Sequence, residues 1–296
     1  MRLSRAPRRY PVAALRLLGL VRWLGTSVWP GRLTYRWWLA HGGLQGVEHE
    51  LPLPGLPEGL DGLRLVQISD LHAGPFLDER ALAPVVDLVN AYRPDVLAIT
   101  GDFITDRAED VHALGSVFAR MPARLGAFAV FGNHDYRHRR EGHIAAVLRR
   151  QGVTVLRNAS ARVERGGAAL RVAGLEDIEE GKRSDLGAAL SDRRDDEALT
   201  VLLCHHPGVA ELLPPGSAQL VLCGHTHGGQ VVLPLVGPLA RRDAPQLAGL
   251  RALPDGTLCH VNRGLGVLVL PLRVGARAEV SCLTLRRAPA PSGDRS

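Results

Sequence analysis

Cysteine is scarce in this chain, with four among 296 residues. Cys204, Cys223, Cys259 and Cys282 form no CxxC pair. A chain this long with so few thiols is not a disulfide scaffold. Cys204 and Cys223 each close an apolar run and read as reduced core residues. Lysine is scarcer still: Lys182 stands alone among 36 basic residues, so the preference for arginine reflects genome composition as much as phosphate recognition. Acidic residues are missing from 1–47, which hold eight of those 36 basic residues. The other 28 face 30 acidic ones, a net of −2. The overall charge of +6 therefore belongs to the N-terminal segment, and the body has no basic excess to suit nucleic acid.

Long apolar runs are absent too. "YPVAALRLLGLVRWLGTSVWPG" is interrupted by Arg16 and Arg22, short of the roughly 20 apolar residues that span a bilayer. Arg8-Arg9 ahead of it suggests a twin-arginine export signal, but the following residues fit poorly and no cleavage site stands out. All four tryptophans, Trp23, Trp29, Trp37 and Trp38, lie here. Arginine with tryptophan reads as a segment lying on an anionic membrane surface, against the alternative of a helix packed on the protein's own body. Three regions follow: 1–50 as this N-terminal segment, 51–287 as one folded domain, and 288–296 as a Pro/Ser/Gly-containing tail.

What the body does contain is 46% hydrophobic residues, enough for a sizeable core, and a repeated pattern. "LRLVQIS" leads into "DLH", "DVLAIT" into "GDFITD", and "AFAVF" into "GNHD"; later "ALTVLLC" leads into "HHP" and "AQLVLC" into "GHTHGGQ". Each run is short and nearly all apolar, as in a strand covered on both faces. Helical patterns over 78–93 and 139–152 separate the early runs, and "RVERGGAALRVAGLEDI" reads as a hairpin turning at Gly166-Gly167. Strand, loop, helix, strand predicts an α/β fold, whose sites form at the carboxyl ends of strands. Singly, these endings are ordinary. Asp-x-His is common in loops, a buried histidine usually belongs to the core, and Gly-Asn favours a turn. Their ordered recurrence is not ordinary.

In that order, Asp-x-His, Gly-Asp, Gly-Asn-His-Asp, His-x-Pro and Gly-His-x-His, the sequence resembles the calcineurin-like metallophosphoesterase superfamily from about residue 60 to 286. "CGHTHGGQ" and "NRGLG" are similar to a bacterial branch of membrane-associated phosphodiesterases that includes UDP-2,3-diacylglucosamine hydrolases. The resemblance implies a four-layer α/β/β/α sandwich of two mixed sheets flanked by helices. It implies one metal held by Asp70, His72, Asp102 and His227, and a second held by Asp102, Asn133, His205 and His225. That O/N set suits Mn, Fe, Zn or Co better than Ca or Mg. Two such ions would activate a bridging hydroxide for attack on phosphorus. His134 is the candidate proton donor to the leaving oxygen. Asp135 is a candidate catalytic residue or a turn former, and Arg263 a phosphate contact or an ordinary surface arginine. His206, His138, His143 and His260 carry no assigned role.

The function so implied is phosphodiester or pyrophosphate hydrolysis of a membrane-associated or nucleotide-linked substrate. The rivals are a phosphomonoesterase, a cyclic-nucleotide phosphodiesterase, and a non-catalytic metal-binding scaffold. The expected location is the bacterial cytoplasm, peripheral on the inner face of the membrane, with export as the alternative. No nucleic-acid partner is expected.

Overall fold

The computed structural model describes residues 1–3, 20, 30–181, 183–192, 194–239 and 244–288. Most of the arginine- and tryptophan-rich segment (4–19 and 21–29), and the tail beyond Ala288, lie outside them.

In chain order the main strands are β1 (Leu44–Pro54), β2 (Arg64–Ile68), β3 (Val96–Thr100), β4 (Gly126–Val130), β5 (Val153–Val155), β6 (Ala159–Arg165), β7 (Ala168–Gly174), β8 (Glu197–Leu203), β9 (Leu220–Cys223), β10 (Gly249–Ala252), β11 (Leu258–Val261) and β12 (Ala278–Ala288). They form two six-stranded sheets, ordered β1-β12-β2-β3-β4-β5 and β10-β11-β9-β8-β7-β6. Both are mixed. In the first, only the β12–β2 pair is antiparallel; in the second, β7, β8, β9 and β11 run parallel between two antiparallel edge strands. Helices α1 (Gly31–Trp38), α2 (Ala83–Tyr92) and α3 (Glu141–Arg150) cover the first sheet. The short helix Leu186–Ala189 and the 3₁₀ turn Pro207–Leu212 cover the second. This is the expected four-layer sandwich.

The apolar runs lack alternation because both faces are covered. Along β3, Val96 and Ala98 enter the core between the sheets, while Leu97 and Ile99 enter the core under the helices. All four cysteines are free and buried. The helix expected over 78–93 begins at Ala83, with Pro84 in its first turn, where the missing N–H costs nothing. Residues 78–82 form the preceding turn, whose Ala81 N–H donates to Asp78. The hairpin turns at Gly166-Gly167 as expected.

The body starts earlier than residue 51. Strand β1 already pairs with β12 from Leu44, and α1 packs through buried Tyr35 and Leu39. The sequence boundary followed the loss of arginine, whereas the strand is set by pairing with a segment more than 230 residues away.

A polar bridge joins the sheets beneath the strand ends. Buried Gln67 of β2 donates to Thr100 Oγ1 (3.0 Å) and to the Cys223 carbonyl (2.8 Å), and its Oε1 lies 2.8 Å from His260 Nδ1. The oxygen can only accept, so that nitrogen carries the proton. Burial, with help from His49, pushes the His260 pKa down to about 3. An unfolded histidine titrates near 6.5, so the folded state binds fewer protons between those values. The stabilising effect of keeping His260 neutral is complete above pH ~6.5 and is lost as the pH falls, by roughly 2 kcal/mol at pH 5. Urea unfolding at pH 7.5 and 5 should show a smaller acid-induced loss for His260→Gln than for the wild type. Equal losses would refute the assignment.

Candidate metal centre

Five parallel strands from both sheets end at one edge of the sandwich. β2 runs into Asp70 and His72, β3 into Asp102, β4 into Asn133-His134-Asp135, β8 into His205, and β9 into His225 and His227. The strand ends turn sharply: Asp70 (φ 49), His72 (φ 48), Asp102 (φ 55), His225 (φ 73) and His227 (φ 54) adopt left-handed backbone. That conformation is uncommon for residues with a Cβ and persists only where surrounding contacts enforce it. Here loop-to-loop hydrogen bonds do so: Asp70 N–H donates to Gly101 O, and His72 N–H to Asp102 O, both at 2.9 Å.

All seven expected ligands converge. His227 Nε2 lies 3.3 Å and His72 Nε2 4.0 Å from Asp70 Oδ1. Asp102 Oδ2 lies 3.4 Å from His72 Nε2 and 3.3 Å from His205 Nε2. Asn133 Oδ1 lies 3.3 Å from His225 Nδ1, and the His225 ring stands 5.1 Å from that of His205. Asp70, His72, Asp102, His205 and His227 are almost completely buried.

The residues fit a cation. His72 Nδ1 faces the Ile104 carbonyl at 3.2 Å and His205 Nδ1 the Thr100 carbonyl at 2.7 Å. Both Nδ1 atoms therefore carry a proton, and in the neutral form of each ring Nε2 turns a lone pair inward. His72 and His227 point their Nε2 atoms at each other, 3.0 Å apart. Asp102 Oδ2 and His205 Nε2 are buried without a hydrogen-bond partner, an arrangement that calls for an explanation. Groups within cation-binding reach include Asp70–His72–His227 and Asp70–Asp102–His205. Burial opposes ionisation of Asp102, yet His205, His134 and His72 hold its carboxyl well below the usual range. Burial likewise disfavours a charged His205, but Asp102 lifts its pKa well above the ordinary value.

His134 stands edge-on to His72, ring centroids 4.7 Å apart. Its Nδ1 lies 2.5 Å from the Thr105 carbonyl, and its N–H donates to Asp102 Oδ1 at 2.9 Å. Asp135 is fully buried and accepts from the N–H groups of Gly132 (2.9 Å), Phe103 (2.9 Å) and Ile104 (3.3 Å), tying the Asp102 loop to the Asn133 loop. Burial first, then the nearby Asp102 charge, pushes its pKa up to about 8. The Arg263 guanidinium lies 3.0 Å from buried Glu279.

Several neighbours carried no sequence signal. Arg137 Nη2 lies 3.2 Å from His134 Nε2, and the same guanidinium pairs with Asp106 at 2.9 Å. Buried Arg273 supports His227, donating to its carbonyl (3.3 Å) and to that of Gly266 (2.6 Å). The His206 ring lies 4.5 Å from that of His225, tilted by 41°, with Nε2 3.6 Å from Glu179 in the loop after Gly174. Its Nδ1 accepts from Gly208 N–H at 2.9 Å. A neutral His206 thus carries its proton on Nε2 and acts as a donor there, although Glu179, His206 and His225 also lie within cation-binding reach of one another. One helical turn separates Arg137 from His134, a spacing that could have flagged it; a buried arginine such as Arg273 leaves no trace in local pattern.

A buried oxygen-and-imidazole cluster at the carboxyl edge of two packed mixed sheets defines a metallohydrolase site. The chain belongs to the calcineurin-like phosphoesterase family, which residues 63–229 match, and so carries a metal-dependent phosphoesterase domain. It is 34% identical over 253 residues to "Transmembrane protein with metallophosphoesterase domain" of Danio rerio, covering 82% of this chain and 57% of that protein. It is 31% identical to "Uncharacterized metallophosphoesterase YkuE" of Bacillus subtilis (82% and 86% covered) and 30% identical to "Phosphodiesterase YaeI" of Escherichia coli (75% and 82%). The match thus spans little more than half of the zebrafish relative. No helix among the described residues is long and apolar enough to cross a membrane.

Proposed function

We propose that the chain hydrolyses a phosphodiester or pyrophosphate bond in a membrane-associated or nucleotide-linked substrate. Asp70, His72, Asp102 and His227 would hold one divalent cation, and Asp102, Asn133, His205 and His225 a second, from among Mn, Fe, Zn and Co. The observation that carries this is the Asp102 Oδ2 atom. It is buried, lacks a hydrogen bond, and lies between the imidazoles of His72 and His205, one from each ligand set. When bound, the cations supply Lewis-acid activation of water and neutralise phosphoryl charge.

The chain's own residues do the rest. His134 is held by the Thr105 carbonyl through Nδ1, which directs Nε2 to deliver a proton to the leaving oxygen. Arg137, which donates to Nε2 in this structure, would turn to the phosphoryl oxygens and so release Nε2 to carry the proton. Asp135 acts as a positioning residue through its three backbone N–H partners. Arg263, already opposed by Glu279, is the weaker phosphate contact. Support for a diester comes from the relative named a phosphodiesterase. The acid-free, arginine-rich stretch 1–47 supports contact with an anionic membrane, placed here at the inner face of a bacterial cytoplasmic membrane.

The test is hydrolysis of a chromogenic diester beside its monoester, with protein stripped of metal and reloaded with Mn. Metal-dependent diester turnover is expected, and a preference for the monoester would make the enzyme a phosphatase instead. His134→Ala should keep its metal content while kcat falls about 10²–10⁴-fold. An unchanged kcat would remove His134 from the mechanism.

A further inference from the structure

Two segments flanking the metal centre combine aliphatic residues with arginine and contain no acid: 228–242 and 263–278. In the structure they form two adjacent loops, 231–239, a short hairpin pairing Val232–Leu233 with Gly237–Pro238, and 267–272. Large aliphatic side chains point outward from both. Leu235 is fully exposed and Val236 67% exposed, and Leu239, Leu270 and Leu272 are also exposed. Soluble surfaces carry such residues singly; a contiguous group marks a contact. The backbone at Leu235 (φ 66) and Val269 (φ 63) is left-handed, uncommon for branched side chains and sustained only by surrounding contacts.

Around Leu235 those contacts come from the pairing of Val232–Leu233 with Gly237–Pro238; around Val269 they come from one residue. Gln230, three positions after His227, shares the two Nε2 hydrogens among the carbonyls of Leu268 (2.9 Å), Leu270 (3.3 Å) and Leu272 (3.2 Å), and its Oε1 accepts from Leu268 N–H (3.0 Å). Val232 N–H donates to Val274 O and Val274 N–H to Gln230 O, so the loops are fixed together at their bases. Carbonyls satisfied from inside need no water, which is the condition for backbone to approach hydrocarbon. Helix α1 adjoins the second loop, its Tyr35 hydroxyl donating to Leu265 O at 2.5 Å. The opposite side of that helix exposes Leu33 and Trp37, and tryptophan favours the headgroup interface. Arg36 and Arg277 are exposed as well.

We infer that this rim is a docking surface for an anionic lipid bilayer, which seats the metal centre at the membrane interface. Exposed Arg36 and Arg277 beside the two loops complement anionic headgroups, whereas a second copy of this chain would set these arginines against each other. The inference deepens the proposed function and rests on it in one respect: it makes the substrate's phosphoester part of a lipid headgroup. It differs from contact through 1–47 alone, because one rim loop begins four residues after His227 and is tied through Gln230 to the other.

The experiment uses the full chain and sedimentation with phosphatidylglycerol–phosphatidylethanolamine vesicles. Leu235→Asp combined with Leu270→Asp should weaken vesicle binding about tenfold or more, with turnover of a soluble chromogenic diester unchanged. A parallel variant replaces Arg5, Arg8, Arg9, Arg16 and Arg22 with glutamine. If the rim variant binds vesicles as well as the wild type does, the proposal is overturned, whatever the arginine variant does. It is also overturned if the wild type ignores vesicles and is a dimer that the rim variant dissolves. Rim-dependent vesicle binding without turnover of either soluble ester would uphold the docking surface while removing the phosphodiesterase reading.

Discussion

Asp102→Ala should abolish metal loading and lower diester turnover by at least about 10³-fold, the equivalent of roughly 4 kcal/mol of transition-state stabilisation. Both proposed cation sites lose an oxygen at once, because Asp102 is the one carboxylate common to the two sets. The consequences extend to the frame. Oδ1 accepts the His134 N–H, and Oδ2 lies within 3.4 Å of His72 and His205. What is lost with the carboxylate is the group that orients these imidazoles. Asp102→Asn separates the two effects. It keeps an acceptor for His134 N–H and so the loop, while removing the charge that attracts cations. Metal content by atomic emission, thermal melting and diester turnover would be measured on both. The expected result is an intact fold and little bound metal for the asparagine variant. Stoichiometric metal with turnover within tenfold of wild type would show that Asp102 does not serve both sites.

Gly224→Ala should disable the centre without removing any ligand. A Cβ on Gly224 would collide with Ser69 Oγ and Asp70 Oδ2. Neither can retreat: Ser69 donates to the Thr100 carbonyl at 3.2 Å, and Asp70 accepts the His225 N–H at 3.0–3.1 Å. Both residues are fully buried. Strand end β9 must therefore move away from β2, at about 1–3 kcal/mol for overpacking. The shift carries His225 and His227 away from Asp70. A displacement near 1 Å at a catalytic constellation costs on the order of 10²-fold in rate. Gly142→Ala is the control, since nothing lies within 4 Å of its added Cβ. Helix α3 should accept it, with a gain of about 0.5–1 kcal/mol. If Gly224→Ala matched the control in melting temperature, metal content and turnover, the close approach would have no functional weight. The same geometry accounts for the glycines beside the ligands: a Cβ on Gly132 would strike Asp102.

Much of this was legible from the chain. The all-apolar run "DVLAIT" announced a strand covered on both faces, and the Asp, Asn and His at the ends of such runs announced a shared edge. The structure places Asp70, His72, Asp102, Asn133, His205, His225 and His227 at that edge. Other features were not legible. His260 read as an ordinary histidine, yet it joins Gln67 across the sheets over a separation of 193 residues. Arg263 read as a phosphate contact or a surface residue, and its guanidinium proves to lie against Glu279. The start of the body at β1 depended on pairing with β12.

The sequence by itself determined the α/β class, the order of candidate ligands along the chain and the confinement of excess positive charge to 1–47, because each is written in local composition and short-range spacing. The tertiary structure decided the left-handed turns at five candidate ligands, the inward aim of Nε2 in His72 and His205, the placing of Arg137 and Arg273, and the outward projection of Leu235 and Leu270. Those features arise from hydrogen bonds and packing between segments remote in sequence, and periodicity within one segment carries no information about the partner that another will supply.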